Sequence, residues 1–283
     1  MIAQVLVEGI INGSIIALIA MGIALIWGVM DVLNFAQGEF LMIGMYVSFT
    51  LNMYLGLDPL IALPICAVAL FLFGIVIHKL LIRRILNAPP LCQILLTFSL
   101  GIVLVNLALA TFGGEYRTIP NLFFEGSISF GAFSINKAKL VPFITCILVV
   151  SALFWFINYT RMGKAIQATA MNKDAASLVG IDPEMAYTIA FGVASALTGV
   201  AGCVLTYYYY IFPGVGSTFA NYGFIAVAMG GFGSIPGALV GGLIMGVVDM
   251  LTGVYIESAF KFASICVLYI VVVAIRPKGL FGW

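Results

Sequence analysis

Charge is scarce in this chain. Lys and Arg number 12 and Asp and Glu 11, so that only 8% of the 283 residues are charged. A soluble domain carries about 25% charged residues and roughly 45–50% apolar ones. Here 63% are hydrophobic and the mean hydropathy is +1.19. A folded chain in water needs polar residues to cover its outside, so lipid must be the solvent for much of this one. The net charge is +1 and the basic residues are scattered, without the basic face that nucleic acid requires.

Histidine occurs once, as His78, beside Lys79 and near Arg83 and Arg84, where it reads as a residue at a helix end. The chain has no H-E-x-x-H zinc motif and no G-x-S-x-G nucleophile turn. The G-x-x-x-x-G-K-[ST] phosphate loop is absent too: the Gly163-Lys164 pair lacks the glycine five residues before it. The five cysteines (Cys66, Cys92, Cys146, Cys203, Cys266) lie far apart inside apolar stretches, with the spacing of neither a zinc site nor a disulfide framework. They read as small buried hydrophobes. The expectation is a non-enzymatic membrane protein that binds no cofactor of its own.

What is abundant is apolar sequence in long runs. A spanning helix needs about 20 mostly apolar residues, and such runs lie at 5–29, 40–57, 60–82, 91–112, 140–159 and 186–209, with shorter ones at 218–233, 235–255 and 259–275. The first run has no basic stretch before it and contains Glu8, which argues for a retained span rather than a cleaved signal. The fold class expected is all-α, a single polytopic transmembrane bundle over residues 1–283 with about nine spans, eight if 218–233 is re-entrant.

Basic residues orient the set. Lys79, Arg83 and Arg84 follow the third span, Arg161, Lys164 and Lys173 the fifth, and Arg276 and Lys278 the last. With all three clusters cytoplasmic, nine crossings place the N-terminus outside and the C-terminus inside, whereas eight would strand the last cluster outside. The loop 113–139 then lies outside. Its residues Phe123, Phe124, Gly126, Phe130, Gly131 and Phe133 suit a compact cap.

Glycines recur inside spans (Gly192, Gly199, Gly202, Gly237, Gly241, Gly242, Gly246), a pattern that lets membrane helices approach closely. Two helices, beginning near 9 and near 185, each meet a break about 25 residues on: Asn34-Phe35-Ala36-Gln37-Gly38-Glu39 and Phe212-Pro213-Gly214-Val215-Gly216. Interrupted helices at corresponding positions of two halves point to a transport pathway.

Between the fifth and sixth spans runs Arg161 to Ile181, too polar to span and rich in alanine, the best helix former. Asn172 or Asp174 can cap a second short helix and Gly180 can end it. The expectation is two short helices on the cytoplasmic face.

Within that segment, Asp174-Ala175-Ala176-x-x-x-Gly180 resembles the acidic-Ala-Ala-x-x-x-Gly loop of bacterial ABC importer permeases, with Asp in place of the usual Glu. Four further segments stand in the same order as in that group. They are Asn12-Gly13-Ser14 through Gly28, the 34–39 break, Gly230-Gly231-Phe232-Gly233-Ser234-Ile235-Pro236-Gly237-Ala238, and Arg276-Pro277-Lys278-Gly279-Leu280-Phe281-Gly282. Together they resemble the high-affinity branched-chain amino acid permeases, of the shorter of two kinds, over nearly the whole chain. Gln37 stands where His is expected, which removes any titrating imidazole there.

The resemblance implies a type II importer permease fold in a bacterial inner membrane. It implies a complex with a second, usually different, permease, two ATPase subunits that bind ATP and Mg, and an extracytoplasmic substrate-binding protein. Coupling to the ATPases would fall to the cytoplasmic segment 163–181, through Gly163, Lys164, Asn172, Asp174, Ala175, Ala176 and Gly180. The substrate path is expected to run past Asn12, Ser14, Asn34, Gln37, Glu39 and Asn106, polar groups in or beside otherwise apolar helices. Specificity would sit in the binding protein, leaving open branched-chain or other apolar amino acids, urea, short amides and small aromatic acids. The rival is an ion-coupled secondary carrier or channel, for which Asp249 in the eighth span is the suspicious residue.

Overall fold

The computed structural model describes residues 2–120, 123, 127–130 and 133–282. The apolar runs become helices α1 (Ile2–Met30), α2 (Gln37–Leu55), α3 (Pro59–Ile77), α5 (Pro90–Phe112), α6 (Lys137–Tyr159), α9 (Pro183–Leu205), α10 (Val215–Gly230), α11 (Ile235–Tyr255) and α12 (Lys261–Ile275). A π-turn, His78–Ile82, carries α3 on into α4 (Arg83–Ile85). The polar segment between the fifth and sixth runs becomes α7 (Arg161–Met171) and α8 (Lys173–Leu178). Among the described residues the fold is all-helical apart from one antiparallel hairpin in the 113–139 loop, β1 (Ser127–Phe130) with β2 (Phe133–Asn136), Ser127 opposite Asn136 and Phe130 opposite Phe133. Phe124, Gly126 and Gly131 lie outside the described residues.

Local sequence sets the ends. Asp58 accepts from Leu60 N ahead of Pro59, Asp182 from Glu184 N ahead of Pro183, and Ser234 from Gly237 N just before Pro236. Proline in the first turn loses nothing, because its missing N–H would have had no intrahelical acceptor. Among the described residues seven helices are long and apolar enough to cross a membrane, against about nine expected. The other two are α2, whose first turn holds Gln37 and Glu39, and α10, whose 16 residues span only about 24 Å at 1.5 Å per residue.

The bundle centre is α1 and α9. Helix α6 lies parallel to α1, with Glu8 paired to Lys139 at 2.8 Å and Cys146 Sγ against Ser14 O at 3.1 Å. The start of α6 (Ala138, Val141) packs against Tyr207, just past the end of α9, so α9 runs opposite to α1. The most extensive packing is of α1 along α11 and of α3 along α9. The break-born helices α2 and α10 meet at their first turns, with no room for a β-carbon between Gly38 and Gly216. Helices α1–α2–α3 and α9–α10–α11 are therefore inverted counterparts, and the two breaks seen in the sequence are equivalent positions.

Two faces result. On one lie the Arg83–Glu184 ion pair (2.6 Å), helices α7 and α8, the α10–α11 turn, and the C-terminal tail, where Leu280 N and Phe281 N donate to Met229 O and Gly230 O at 2.9 Å. On the other lie Glu8–Lys139, the Arg117–Ile211 bridge, and Asp58, which accepts from Tyr207 Oη and, at 2.9 Å, from Phe123 N. Burial, and then the Asp58 carboxylate, hold the Tyr207 phenol above its ordinary range, so it remains a donor.

Candidate functional site

The first candidate surface is built by α7 and α8. Thr160 caps α7, accepting from Gly163 N at 3.0 Å, and Gly163, Ile166 and Thr169 form its buried side. Gly163 leaves no room for a β-carbon beside the Phe156 and Ile157 carbonyls, which holds α7 tight against the end of α6. Asn172 then breaks the helix in extended conformation (φ −162°, ψ 108°) and starts the next, its Oδ1 accepting from Asp174 N and Ala175 N at 3.0 Å. Of the two capping residues expected, Asn172 does the work. Gly180 closes α8 at φ +84°, a conformation that costs glycine little, and Ile181 N returns to Ala176 O at 3.0 Å. Ala176 is buried, whereas Lys164, Asn172, Asp174 and Ala175 are exposed. So are Met171 and Leu178, each 88% exposed, and Val179 at 76%. Large apolar groups thus stand exposed on a short and polar element.

The second region is the α1–α2 break. Asn34 Nδ2 donates to Gln37 Oε1 at 2.9 Å, and Asn34 Oδ1 accepts from Ala36 N at 3.1 Å. Gln37 Nε2 reaches Ala194 O (3.1 Å) and Thr198 Oγ1 (2.5 Å), near the middle of α9. Helix α2 thus begins deep in the bundle, and Asn34 with Gln37 ties the break to α9. Ser14 is buried and donates to Ile11 O at 2.6 Å. Asn12 contacts Met250 Sδ at 3.1 Å and borders a separate polar cavity of about 290 Å³ with Tyr209, Tyr222, Asp249 and Lys261. Asp249 is paired with Lys261 at 3.4 Å.

Glu39 and Asn106 line one cavity, about 310 Å³, between α2, α5 and α10. Its walls are Phe35, Phe98, Ile102 and Phe224, and Ser217 and Asn221 of α10 complete its polar edge. Of the six path residues expected, the structure brings these two together and places Asn34 and Gln37 behind them. Asn12 and Ser14 lie elsewhere. Among the described residues no three His, Cys, Asp or Glu side chains come together as metal ligands.

A family model described as "Branched-chain amino acid transport system / permease component" matches residues 5–275. The chain belongs to that family. It is 33% identical over 292 residues to the high-affinity branched-chain amino acid transport system permease protein LivH of Salmonella typhimurium, covering 99% of this chain and 95% of that protein. It is 32% identical over 293 residues, with the same coverage, to the corresponding protein BraD of Pseudomonas aeruginosa. Of solved structures, one titled PsaBC from Streptococcus pneumoniae in complex with Fab aligns over 97% of this chain and 92% of its own, at 12% identity and TM-score 0.49.

The protein is accordingly a multi-pass membrane permease subunit of an ABC importer, a family that works with ATPases and a binding protein. Sequence reasoning missed two residues of the permease's cavity, Ser217 and Asn221. The signal was present as two polar residues four apart on an otherwise apolar, Gly-rich helix.

Proposed function

We propose that this permease moves branched-chain or other apolar amino acids, delivered by an extracytoplasmic binding protein, through alternating access driven by two ATPases, one of them docked on α8. The observation that carries the reading is the exposed Met171–Val179 surface, with Asp174 at the start of α8 and the Gly180 stop behind it. ATP and Mg belong on the ATPases, since this chain has no phosphate loop.

The face bearing α8 is the cytoplasmic one. It holds Lys79, Arg83, Arg84, Arg161, Lys164, Lys173, Arg276 and Lys278, eight of the 12 basic residues, as expected for a cytoplasmic surface. The N-terminus is then outside, the C-terminus inside, and the membrane is a bacterial inner membrane. A cysteine introduced between 163 and 180 is expected to react with an impermeant thiol reagent only in inside-out vesicles. Labelling in intact cells would reverse the orientation.

A second, homologous permease completes the path. Asn106, Ser217 and Asn221 are exposed on the side of the bundle, where hydrocarbon would leave them poorly satisfied and a partner or water would not. A gentle pull-down from native membranes is expected to recover two ATPases and a different permease. Recovery of this chain alone, active with an ion gradient and without ATP, would hand the assignment to a secondary carrier.

A further inference from the structure

We propose that Glu39 is the ammonium-receiving group of a transient substrate site in the wall of the path, in the cavity between α2, α5 and α10. The inference rests on the importer reading above and adds a binding site within it.

Glu39 is the acid with the least explanation elsewhere in the fold. It is 6% exposed, its Oε2 has no hydrogen-bond partner among the described residues, and no Lys, Arg or His of those residues pairs with it. Asp249 has Lys261, and the buried Asp58 accepts from Tyr207 Oη and Phe123 N. Burial without a counter-charge disfavours the ionised form of a carboxyl group, and a cation arriving beside it restores that form. The carboxylate lies over Gly216, where a β-carbon would press directly on it. The first turn of α10 therefore packs its bare glycine backbone on the acid and offers Oε2 no hydrogen bond.

The rest of the cavity has the complementary chemistry. Phe35 and Phe224 stack at 4.8 Å between centroids and, with Phe98 and Ile102, offer an apolar wall for an aliphatic side chain. Asn106 and Asn221 sit on the polar edge, where their amide N–H groups can meet a carboxylate. An α-amino acid with an apolar side chain presents those three groups. One carboxylate opposite one ammonium, on a cavity open at the side, suits brief retention rather than tight binding, as a path must.

The test uses the complex recovered with its partners, reconstituted in nanodiscs, with Val105→Cys in this chain, on the cavity wall but outside the groups assigned to the ligand. Alkylation of the introduced thiol by a small maleimide is followed peptide by peptide, with the exposed Cys92 as internal reference. The probes are leucine, 3-methylbutylamine, 4-methylpentanoate and sodium chloride. Leucine and the amine are expected to slow alkylation about tenfold at about ten times their Kd, because roughly one site in eleven is then free. The carboxylate and sodium are expected to leave it unchanged, and Glu39→Gln to abolish protection by both amines.

Protection by 4-methylpentanoate equal to that by the amine would overturn the proposal, as would protection by sodium alone or protection that survives Glu39→Gln. Should Glu39→Gln fail to assemble, the amine-against-carboxylate comparison decides the matter in the native Glu39 background. ATP-driven leucine uptake by the same complex with its binding protein separates the two levels. Uptake without protection removes the site and leaves the importer, whereas no ATP-driven uptake of any apolar amino acid removes both.

Discussion

Gly180→Val is expected to separate ATP hydrolysis from uptake in the reconstituted complex. A β-carbon at Gly180 would meet open space, so the substitution introduces no clash with the rest of the permease. Its whole effect is on the backbone, since φ +84° is a conformation that a β-branched residue resists. Strain of this kind is about 1–3 kcal/mol. Relieving it means re-forming the end of α8 and moving Leu178 and Val179. A coupling loss of that size corresponds to a fall of about five- to 150-fold in uptake. Asp174→Arg is expected to act on the same readout through charge, because it reverses the exposed acid in the first turn of α8. In both variants the permease is expected to elute from size exclusion as the parent does, with ATP hydrolysis persisting. Uptake at the parental rate would remove α8 from the coupling role.

Gly246→Leu is expected to abolish assembly of the bundle. Gly246 of α11 faces the backbone of Gly13 and Gly9 in α1, and one β-carbon already collides with main-chain atoms there. Gly9 is also close to main chain, at Val247 Cα, which a β-carbon would approach to 2.7 Å. Main chain cannot rotate aside as a side chain can, so the helices must separate along the most extensive seam of the fold. Overpacking costs typically about 1–3 kcal/mol even where side chains can adjust, and here four side-chain carbons are added. Gly246→Ala is expected to lower the melting temperature of the detergent-solubilised protein and Gly246→Leu to yield mostly aggregate. Gly114→Ala is the control, expected to melt with the parent, because its β-carbon would meet only the end of Leu109 at 3.6 Å. Equal yields of all three would show that the α1–α11 seam is not tight.

Much of this architecture can be read from the chain. All nine apolar runs are helices, and the two cytoplasmic-type helices end within a residue or two of where Asn172 and Gly180 say they should. Helix α2 begins at Gln37 rather than near residue 40 because Gln37 is satisfied by α9, 157 and 161 residues away, a partnership no local window contains. The hairpin in the 113–139 loop was legible but unread: Ser-Ile-Ser-Phe and Phe-Ser-Ile-Asn each alternate polar with apolar around a two-residue connection. Asp249 looked like an ion-coupling residue until Lys261 of the next helix stood beside it.

The sequence by itself determined the class of solvent, the nine apolar helices, the two short helices of 161–178 with their caps, and the family. Each of these is set locally, by transfer of a run of about 20 residues into lipid or by hydrogen bonds closed within a few residues. Only the tertiary structure decided that α1 seats on α11 and α3 on α9, that the two breaks meet at Gly38 and Gly216, and that Glu39 Oε2 is left without a partner among the described residues, beside a cavity. Lipid is as apolar as leucine, so hydrophobic pattern does not say which helix faces which. That choice rests on close backbone approach at glycines and on polar pairs formed across the bundle.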